Sequence, residues 1–423
     1  MTYARFVHRH GAALSFGILV AFASSFGQTF FISLFVPSIG AEFGLDKSGI
    51  GSLYGFCTVV SALLLPHLGS RIDTAPLRRY ASLSFAGLAA AALLVAAAPN
   101  YWVLGLGIAG LRLSGQGLMS HIAQTVMARE LGPHRGKALA IAGIGYPLGE
   151  AVLPIAIASA LAWGNWRVVW GAVAAVAVAV ILPGALHLLK RSGLDGSAAG
   201  RIAGTMRPKT REWLDIRFFL ALPAMLVQPF VITGLFLYQL PIAESRGWSP
   251  QWIAGAFVAF AAARAFTTLL AGPLIDRFSG VRLLAIHLLP FALGIGILLV
   301  GSHPWLAFVY MTLLGVSVGA GSAIGSAVWA ELYGTAQVGT VRSFATSFGV
   351  LSTALSPPVL GWLLERTSSI EPVLGLTALG VALVALLTQI ATIRLRERPP
   401  VSDEPPVETV VLAGAPESRP QVR

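Results

Sequence analysis

Three ionisable residues lie deep inside long apolar stretches of the sequence: Arg112, Glu150 and Arg264. Placing such a group in a bilayer costs roughly 2.5 to 3.5 kcal/mol on insertion scales, so it normally faces a cavity or a charged partner. A guanidinium at this depth binds carboxylates and other oxyanions. A carboxyl group there is a candidate proton carrier. The three residues therefore predict an anion-binding site linked to a proton.

Arg264 stands among small residues and has no acidic residue in reach on its own apolar stretch. We therefore predict that Arg264 binds the substrate anion. Arg112 and Glu150 fall at nearly equal depth on consecutive antiparallel stretches, so we expect them to form an ion pair. Two alternatives stay open. The pair only fixes helix packing, or Arg264 snorkels or takes Glu150 in place of Arg112.

The elements that position these residues are about twelve apolar stretches, six in each half of the chain. Of the 423 residues, 56% are hydrophobic and only 11% are charged, whereas soluble domains are about a quarter charged. The stretches have the length of roughly 20 residues that a membrane-spanning helix needs. They lack the alternating polarity of barrel strands. We predict an all-α membrane protein with twelve transmembrane helices in two six-helix halves.

The two halves repeat each other in the same orientation. Several residues recur at an offset of 203 positions: Gly44 and Gly247, Gly69 and Gly272, Trp102 and Trp305, Pro154 and Pro357. Parallel repeats of this kind are typical of secondary transporters. The predicted parts are an N-terminal half (1–190), a cytoplasmic linker (191–215), a C-terminal half (216–396) and a disordered cytoplasmic tail (397–423).

The net charge of +11 raises the question of a nucleic-acid partner, and the placement of the basic residues argues against one. Most Lys and Arg residues fall on one side of the predicted helices, which is the positive-inside pattern. We therefore predict a multi-pass protein of the inner (cytoplasmic) membrane, with both termini cytoplasmic and the lipid bilayer as its surroundings. We expect a monomer, with no nucleic-acid partner.

Two loops repeat a glycine, an aspartate four residues later, and arginines beyond it. Together with twelve helices in two parallel halves, these loops resemble the major facilitator superfamily. Segment 112–117 resembles that family's intramembrane arginine motif, and segment 145–149 partly resembles the glycine-proline motif of its antiporter branch. The resemblance implies two halves that rock about a central cavity lined by the first, fourth, seventh and tenth helices. It also implies that an eighth-helix arginine such as Arg264 binds a carboxylate substrate.

The repeated loops also predict a gate. An aspartate near a helix end accepts hydrogen bonds from a neighbouring helix N-terminus or from arginine, and such contacts would close the cytoplasmic side in one state. The alternative is that these charges only anchor helix ends in the headgroup region. The predicted gating residues are Gly69, Asp73, Arg78, Gly272, Asp276 and Arg277.

Polar residues on the presumed cavity helices are weaker candidates. Gln28, Gln116, Tyr238 and Gln239 are predicted to orient the substrate, and His121 is a second candidate for proton coupling beside Glu150. The alternative reading of each is a hydrogen bond between helices.

Signatures of enzymes are missing from the sequence. It has no phosphate-binding Gly-Lys-Ser/Thr loop and no His and carboxylate cluster at metal spacing, so we predict neither catalysis nor a cofactor nor a metal. The prediction is a secondary active transporter of a small solute, an organic anion such as a carboxylate, with protons as the candidate coupling ion. The alternatives are a drug-type exporter of hydrophobic compounds and a non-transporting membrane sensor.

Overall fold

The computed structural model describes residues 3–131, 134–194 and 215–396, and within these ranges the secondary structure is helical. We number the spanning helices α1 to α12. The first six are α1 (Tyr3–Ala23, Ser24–Gly27, Thr29–Ile32, Ser33–Phe35 and Val36–Phe43), α2 (Lys47–Gly69), α3 (Leu77–Ala96), α4 (Tyr101–Leu111, Arg112–Met119 and Ser120–Glu130), α5 (Arg135–Ala142 and Gly145–Trp163) and α6 (Trp166–Val176, Ala177–Ile181 and Leu182–Ser192).

The second six helices follow the predicted linker. They are α7 (Ile216–Leu237 and Gln239–Ser245), α8 (Pro250–Phe278), α9 (Gly280–Ile286 and Leu288–Val300), α10 (Trp305–Gly334), α11 (Val341–Arg366) and α12 (Glu371–Arg396). Gly334, with φ of 69°, interrupts the helical run between α10 and α11.

Eleven helices in the described ranges are long and apolar enough to cross a membrane. The remaining one, α4, runs without a break from Tyr101 to Glu130 and carries the polar Arg112 and Gln116. The predicted fold, twelve helices in an all-α membrane protein, is confirmed. Most of the predicted linker and the whole predicted tail lie outside the described residues, so those two assignments stay predictions.

Side chains in the loops fix where several helices begin. Asp46 accepts a hydrogen bond from the Gly49 amide at the start of α2. Asn100 does the same for two amides of α4, and Ser249 for one amide of α8. Such caps satisfy backbone N–H groups that have no partner inside the helix. They hold the helix ends at one end of the bundle.

The N-terminal and C-terminal halves meet along two seams, α2 with α11 and α5 with α8. On the first seam a Cβ atom at Gly51 would overlap the Pro357 carbonyl oxygen, so the two backbones touch. Because α2 repeats as α8 and α5 as α11 at the 203-residue offset, the two seams are equivalent places in the repeat.

Polar contacts join the halves at the end of the bundle where α2 begins and α11 ends, which we call the far face. The Ser48 amide donates to Glu365 Oε1 at 2.6 Å. The Tyr238 hydroxyl lies 2.8 Å from both the Lys47 and the Pro357 carbonyl oxygens. The opposite end carries the start of α1 and the end of α12, and we call it the terminal face. At the terminal face Asp73 pairs with Arg129 at 3.6 Å within the N-terminal half.

Glu331 on α10 closes the turn between α8 and α9. Its carboxylate accepts hydrogen bonds from Ser279 Oγ and the Gly280 amide, both at 2.6 Å, and from the Val281 amide at 3.1 Å. Hydrogen bonds to a charged group contribute about 1.5 to 3 kcal/mol each. We expect Glu331→Ala to lower the free energy of unfolding by about 2 to 4 kcal/mol.

Thermal unfolding of the purified protein in detergent measures this effect. The control is Glu244→Ala, because Glu244 is exposed and its loss should cost less than about 0.5 kcal/mol. Equal melting temperatures for the two variants would show that the Glu331 contacts contribute nothing to stability.

Candidate functional site

Arg112 lies at the start of the π-helical segment Arg112–Met119 in the middle of α4. Its side chain is only 4% exposed. One guanidinium nitrogen, Nη1, is 3.5 Å from the Gly27 carbonyl oxygen and 3.5 Å from Thr29 Oγ1, both on α1. The guanidinium also lies 5.0 Å from the centre of the Tyr54 ring on α2, which is within the range of a cation–π interaction. Arg112 therefore reaches into the space between α1 and α2.

A break in α1 makes this position possible. Gln28 is extended, with φ of −86° and ψ of 157°, and separates a short 3₁₀ segment from the next helical turn. At the break α1 touches α4, since a Cβ atom at Gly27 would overlap the Leu111 carbonyl oxygen and lie 2.7 Å from the Gln116 amide. The break frees the Gly27 carbonyl for Arg112. Broken helices with free backbone groups line the binding sites of many transporters.

The partners of Arg112 are neutral. Thr29 Oγ1 and the Tyr54 hydroxyl form a hydrogen bond of 2.7 Å beside the guanidinium. A guanidinium has five N–H donors, and the two oxygens at 3.5 Å occupy few of them. Among the described residues no carboxylate pairs with Arg112. The site is thus a buried positive charge beside a hydroxyl pair and a broken helix, which is the arrangement an entering anion needs.

Glu150 pairs with Arg264, not with Arg112. The expected pair of Arg112 and Glu150 is wrong, and the alternative pairing is the one observed. The two residues do sit on consecutive helices, but α5 packs its Glu150 side against α8 across the seam, whereas α4 turns Arg112 towards α1 and α2. Depth along a helix can be read from the sequence. The direction in which the side chain leaves the helix could not be read from it.

The other predicted substrate residues divide between two places: Gln28 and Gln116 lie where α1 touches α4 beside Arg112, and Tyr238 and Gln239 lie at the break within α7. Gln28 donates to Ser24 Oγ on its own helix at 3.3 Å, and the buried Gln116 Oε1 has no hydrogen-bond partner. The Tyr238 hydroxyl forms hydrogen bonds with the Lys47 and Pro357 carbonyl oxygens at the far face. Gln239 is buried 3.5 Å from the Tyr310 hydroxyl.

His121, the second candidate for proton coupling, lies away from Glu150. Its ring contacts Thr125 Oγ1 at 3.3 Å on the same helix, and Gly69 packs against it.

The predicted gating residues lie at the terminal face. Asp73 pairs with Arg129 of α4 at 3.6 Å, and Gly69 is buried beside it. The others are exposed, namely Arg78, Gly272, Asp276 and Arg277. Whether these residues latch a gate stays a prediction.

Sequence reasoning missed Gly27, Thr29 and Tyr54. Thr29 and Tyr54 are ordinary residues of apolar helices, and only the fold brings them to Arg112. One signal was present, because Gly27 and Gln28 interrupt the first apolar stretch at mid-depth.

Comparison with known proteins agrees with this architecture. The family model described as Major Facilitator Superfamily matches residues 17–259 and 232–419. The chain belongs to the major facilitator superfamily. Members of this superfamily are transporters, so a general transport function and a multi-pass membrane location follow. No curated protein matches the sequence.

Solved structures of the same superfamily fold are similar to this chain. One is a bacterial homolog to the human lysosomal transporter Spinster in an inward-facing and occupied conformation, with a TM-score of 0.64, 17% identity, and coverage of 92% of this chain and 96% of that one. The same homolog in an inward-facing and unoccupied conformation gives a TM-score of 0.64 at 16% identity, covering 92% and 94%. At this identity the likeness concerns the fold.

Proposed function

We propose that this member of the superfamily is a secondary transporter that moves a small organic anion, in the first place a carboxylate, by alternating access. The observation that carries this proposal is Arg112, buried at 4% exposure and surrounded by neutral groups. A buried charge is costly without a partner of opposite sign. An anion from solution supplies that partner, and the guanidinium fork matches a carboxylate.

The charges at this depth support an anion more than a cation. Arg112, Arg264 and Glu150 together leave one positive charge uncompensated, since Glu150 neutralises only Arg264. A cationic substrate would meet the same charge and be repelled. Because Arg264 has a counter-ion, we assign the first anion contact to Arg112 and keep Arg264 as the second basic group of the site.

The contacts between the halves support a state closed at the far face. With cytoplasmic termini in the inner membrane, as the distribution of Lys and Arg favours, this is a state open to the cytoplasm. In the same arrangement the exposed Asp276 and Arg277 are gating residues of a cytoplasmic gate that is open.

Binding to the purified protein tests the proposal. The probes are acetate, lactate and benzoate, titrated into wild type and into Arg112→Gln. Loss of a buried charged partner costs about 2 to 5 kcal/mol, so we expect the affinity of Arg112→Gln to fall at least about 30-fold. The matched control is Arg366→Gln on an exposed residue, which should bind as wild type does.

Equal affinity in wild type and Arg112→Gln would contradict the assignment of the site. If no carboxylate binds and fluorescent hydrophobic compounds do, the anion reading is replaced by the exporter of hydrophobic compounds.

A further inference from the structure

Two hydroxyl groups beside Arg112 form a hydrogen-bonded pair. Thr29 Oγ1, just after the break in α1, and the Tyr54 hydroxyl on α2 are 2.7 Å apart. Arg112 Nη1 lies 3.5 Å from Thr29 Oγ1, and the guanidinium lies 5.0 Å from the centre of the Tyr54 ring. Each member of the pair therefore contacts the guanidinium, Thr29 through its oxygen and Tyr54 through its ring.

The hydroxyl pair has one hydrogen more than it uses. Each hydroxyl carries one hydrogen to donate and can also accept. One of the two hydrogens forms the bond within the pair, and Thr29 Oγ1 also accepts from Arg112. Among the described residues neither hydroxyl donates to any acceptor outside the pair. Whichever hydroxyl donates within the pair, the other keeps a free hydrogen beside the guanidinium.

This free hydrogen lies where an anion on Arg112 would be bound. Arg112 is 4% exposed and Tyr54 is 1% exposed, whereas Thr29 is only half-buried. An anion oxygen on Arg112 Nη1 comes next to Thr29 Oγ1, because these two protein atoms are 3.5 Å apart. A carboxylate has two oxygens with about four acceptor positions. It can therefore accept from the guanidinium and from the hydroxyl pair together.

The repeat indicates that packing does not require these hydroxyls. The positions that repeat Thr29, Tyr54 and Arg112 at the 203-residue offset carry no polar side chain, namely Ile232, Phe257 and Gly315. The aromatic ring is kept in the second half, where Phe257 packs against Phe30 of α1 with ring centres 5.9 Å apart. The two hydroxyls thus occur in the half that has the buried arginine, so we connect them with the arginine and not with helix packing.

We infer that Thr29 and Tyr54 are substrate-binding residues, whose free hydroxyl hydrogen donates to the carboxylate that Arg112 binds. This rests on the proposed anion function, and it means that both oxygens of the carboxylate are bound. Because the bond within the pair can reverse, either hydroxyl can supply the hydrogen. Removal of one hydroxyl leaves the other with its own hydrogen free, whereas removal of both leaves none.

Titration of lactate into the purified full-length protein in detergent tests this. Tyr54→Phe keeps the ring beside the guanidinium, and Thr29→Val keeps the shape of the side chain. We expect each single change to lower the affinity for lactate only about two- to threefold. The double change should lower it about 10- to 100-fold, which is the effect of losing a hydrogen bond to a charged group.

Two further double variants separate the hydroxyl from other effects. Tyr54→Phe with Thr29→Ser keeps one hydroxyl, so it should bind lactate at least about fivefold more tightly than Tyr54→Phe with Thr29→Val. The matched control is Tyr80→Phe with Thr377→Val. It removes two hydroxyls that donate to backbone carbonyls of α2 and α12, and it should bind as wild type does.

Wild-type affinity in Tyr54→Phe with Thr29→Val would overturn this inference, and so would a loss of about tenfold or more in either single variant. In both cases the proposed anion function stands if Arg112→Gln loses binding. If wild type binds no carboxylate, or Arg112→Gln binds equally well, the proposed function fails and this inference with it. Should the valine double variant not fold, Tyr54→Phe with Thr29→Ala takes its place with the same expected loss.

Discussion

Gly51→Ala should drive the protein out of the state closed at the far face. A Cβ atom at this position would overlap both the Pro357 carbonyl oxygen and the Tyr238 hydroxyl, which belong to the other half. Overpacking of a close contact costs about 1 to 3 kcal/mol, and that cost falls only on the state in which α2 and α11 touch. The ratio of the two states should therefore change by about 5- to 150-fold.

Spin-label distances across the far face measure this shift. Labels at Pro99→Cys and Ser302→Cys, both exposed, report on opposite halves once the buried Cys57 is replaced by serine. We expect longer distances in Gly51→Ala than in the parent. Gly171→Ala, whose Cβ atom meets nothing within 4 Å, serves as the control. Identical distributions in all three proteins would show that this seam is not a moving contact.

Gly27→Ala should damage the site itself. The added Cβ atom would overlap the Leu111 carbonyl oxygen and crowd the Gln116 amide, and both atoms belong to the α4 backbone, which cannot turn aside. Forcing α1 away from α4 removes the carbonyl that Arg112 contacts. We expect the free energy of unfolding to fall by about 1 to 3 kcal/mol or more, with anion binding lost.

Melting temperature and lactate binding of the purified variant check this. Gly11→Ala is the matched control on the same helix, because open space surrounds Gly11. If Gly27→Ala melts and binds like Gly11→Ala, the contact of α1 and α4 does not build the site.

The sequence was sufficient for the features that depend on composition and repetition. Long apolar stretches predict twelve helices because the bilayer allows few alternatives. The close packing of the α10 glycines is also expected from their small size. Gly315 and Gly319 lie against the backbone of α8, at Phe260 and Arg264, as small residues in membrane helices commonly do.

The candidate site depends on geometry that the sequence does not contain. The partner of Glu150 is set by the seam of α5 and α8. Glu150 and Arg264, which make this contact between the two halves, are 114 positions apart along the chain. Tyr238 lies at the break between the two segments of α7, and its hydroxyl contacts the far face. Arg112 begins a π-helical segment of α4 that the apolar pattern of the sequence does not indicate.

Counterflow into proteoliposomes tests the central claim most directly. Vesicles that contain wild-type protein and unlabelled carboxylate are placed in labelled lactate or succinate, and uptake is compared with empty vesicles and with Arg112→Gln. An anion carrier accumulates the label transiently and saturably, and Arg112→Gln does not. If labelled lactate and succinate stay outside wild-type vesicles, while wild type and Arg112→Gln transport a hydrophobic dye equally, the claim of anion transport is contradicted.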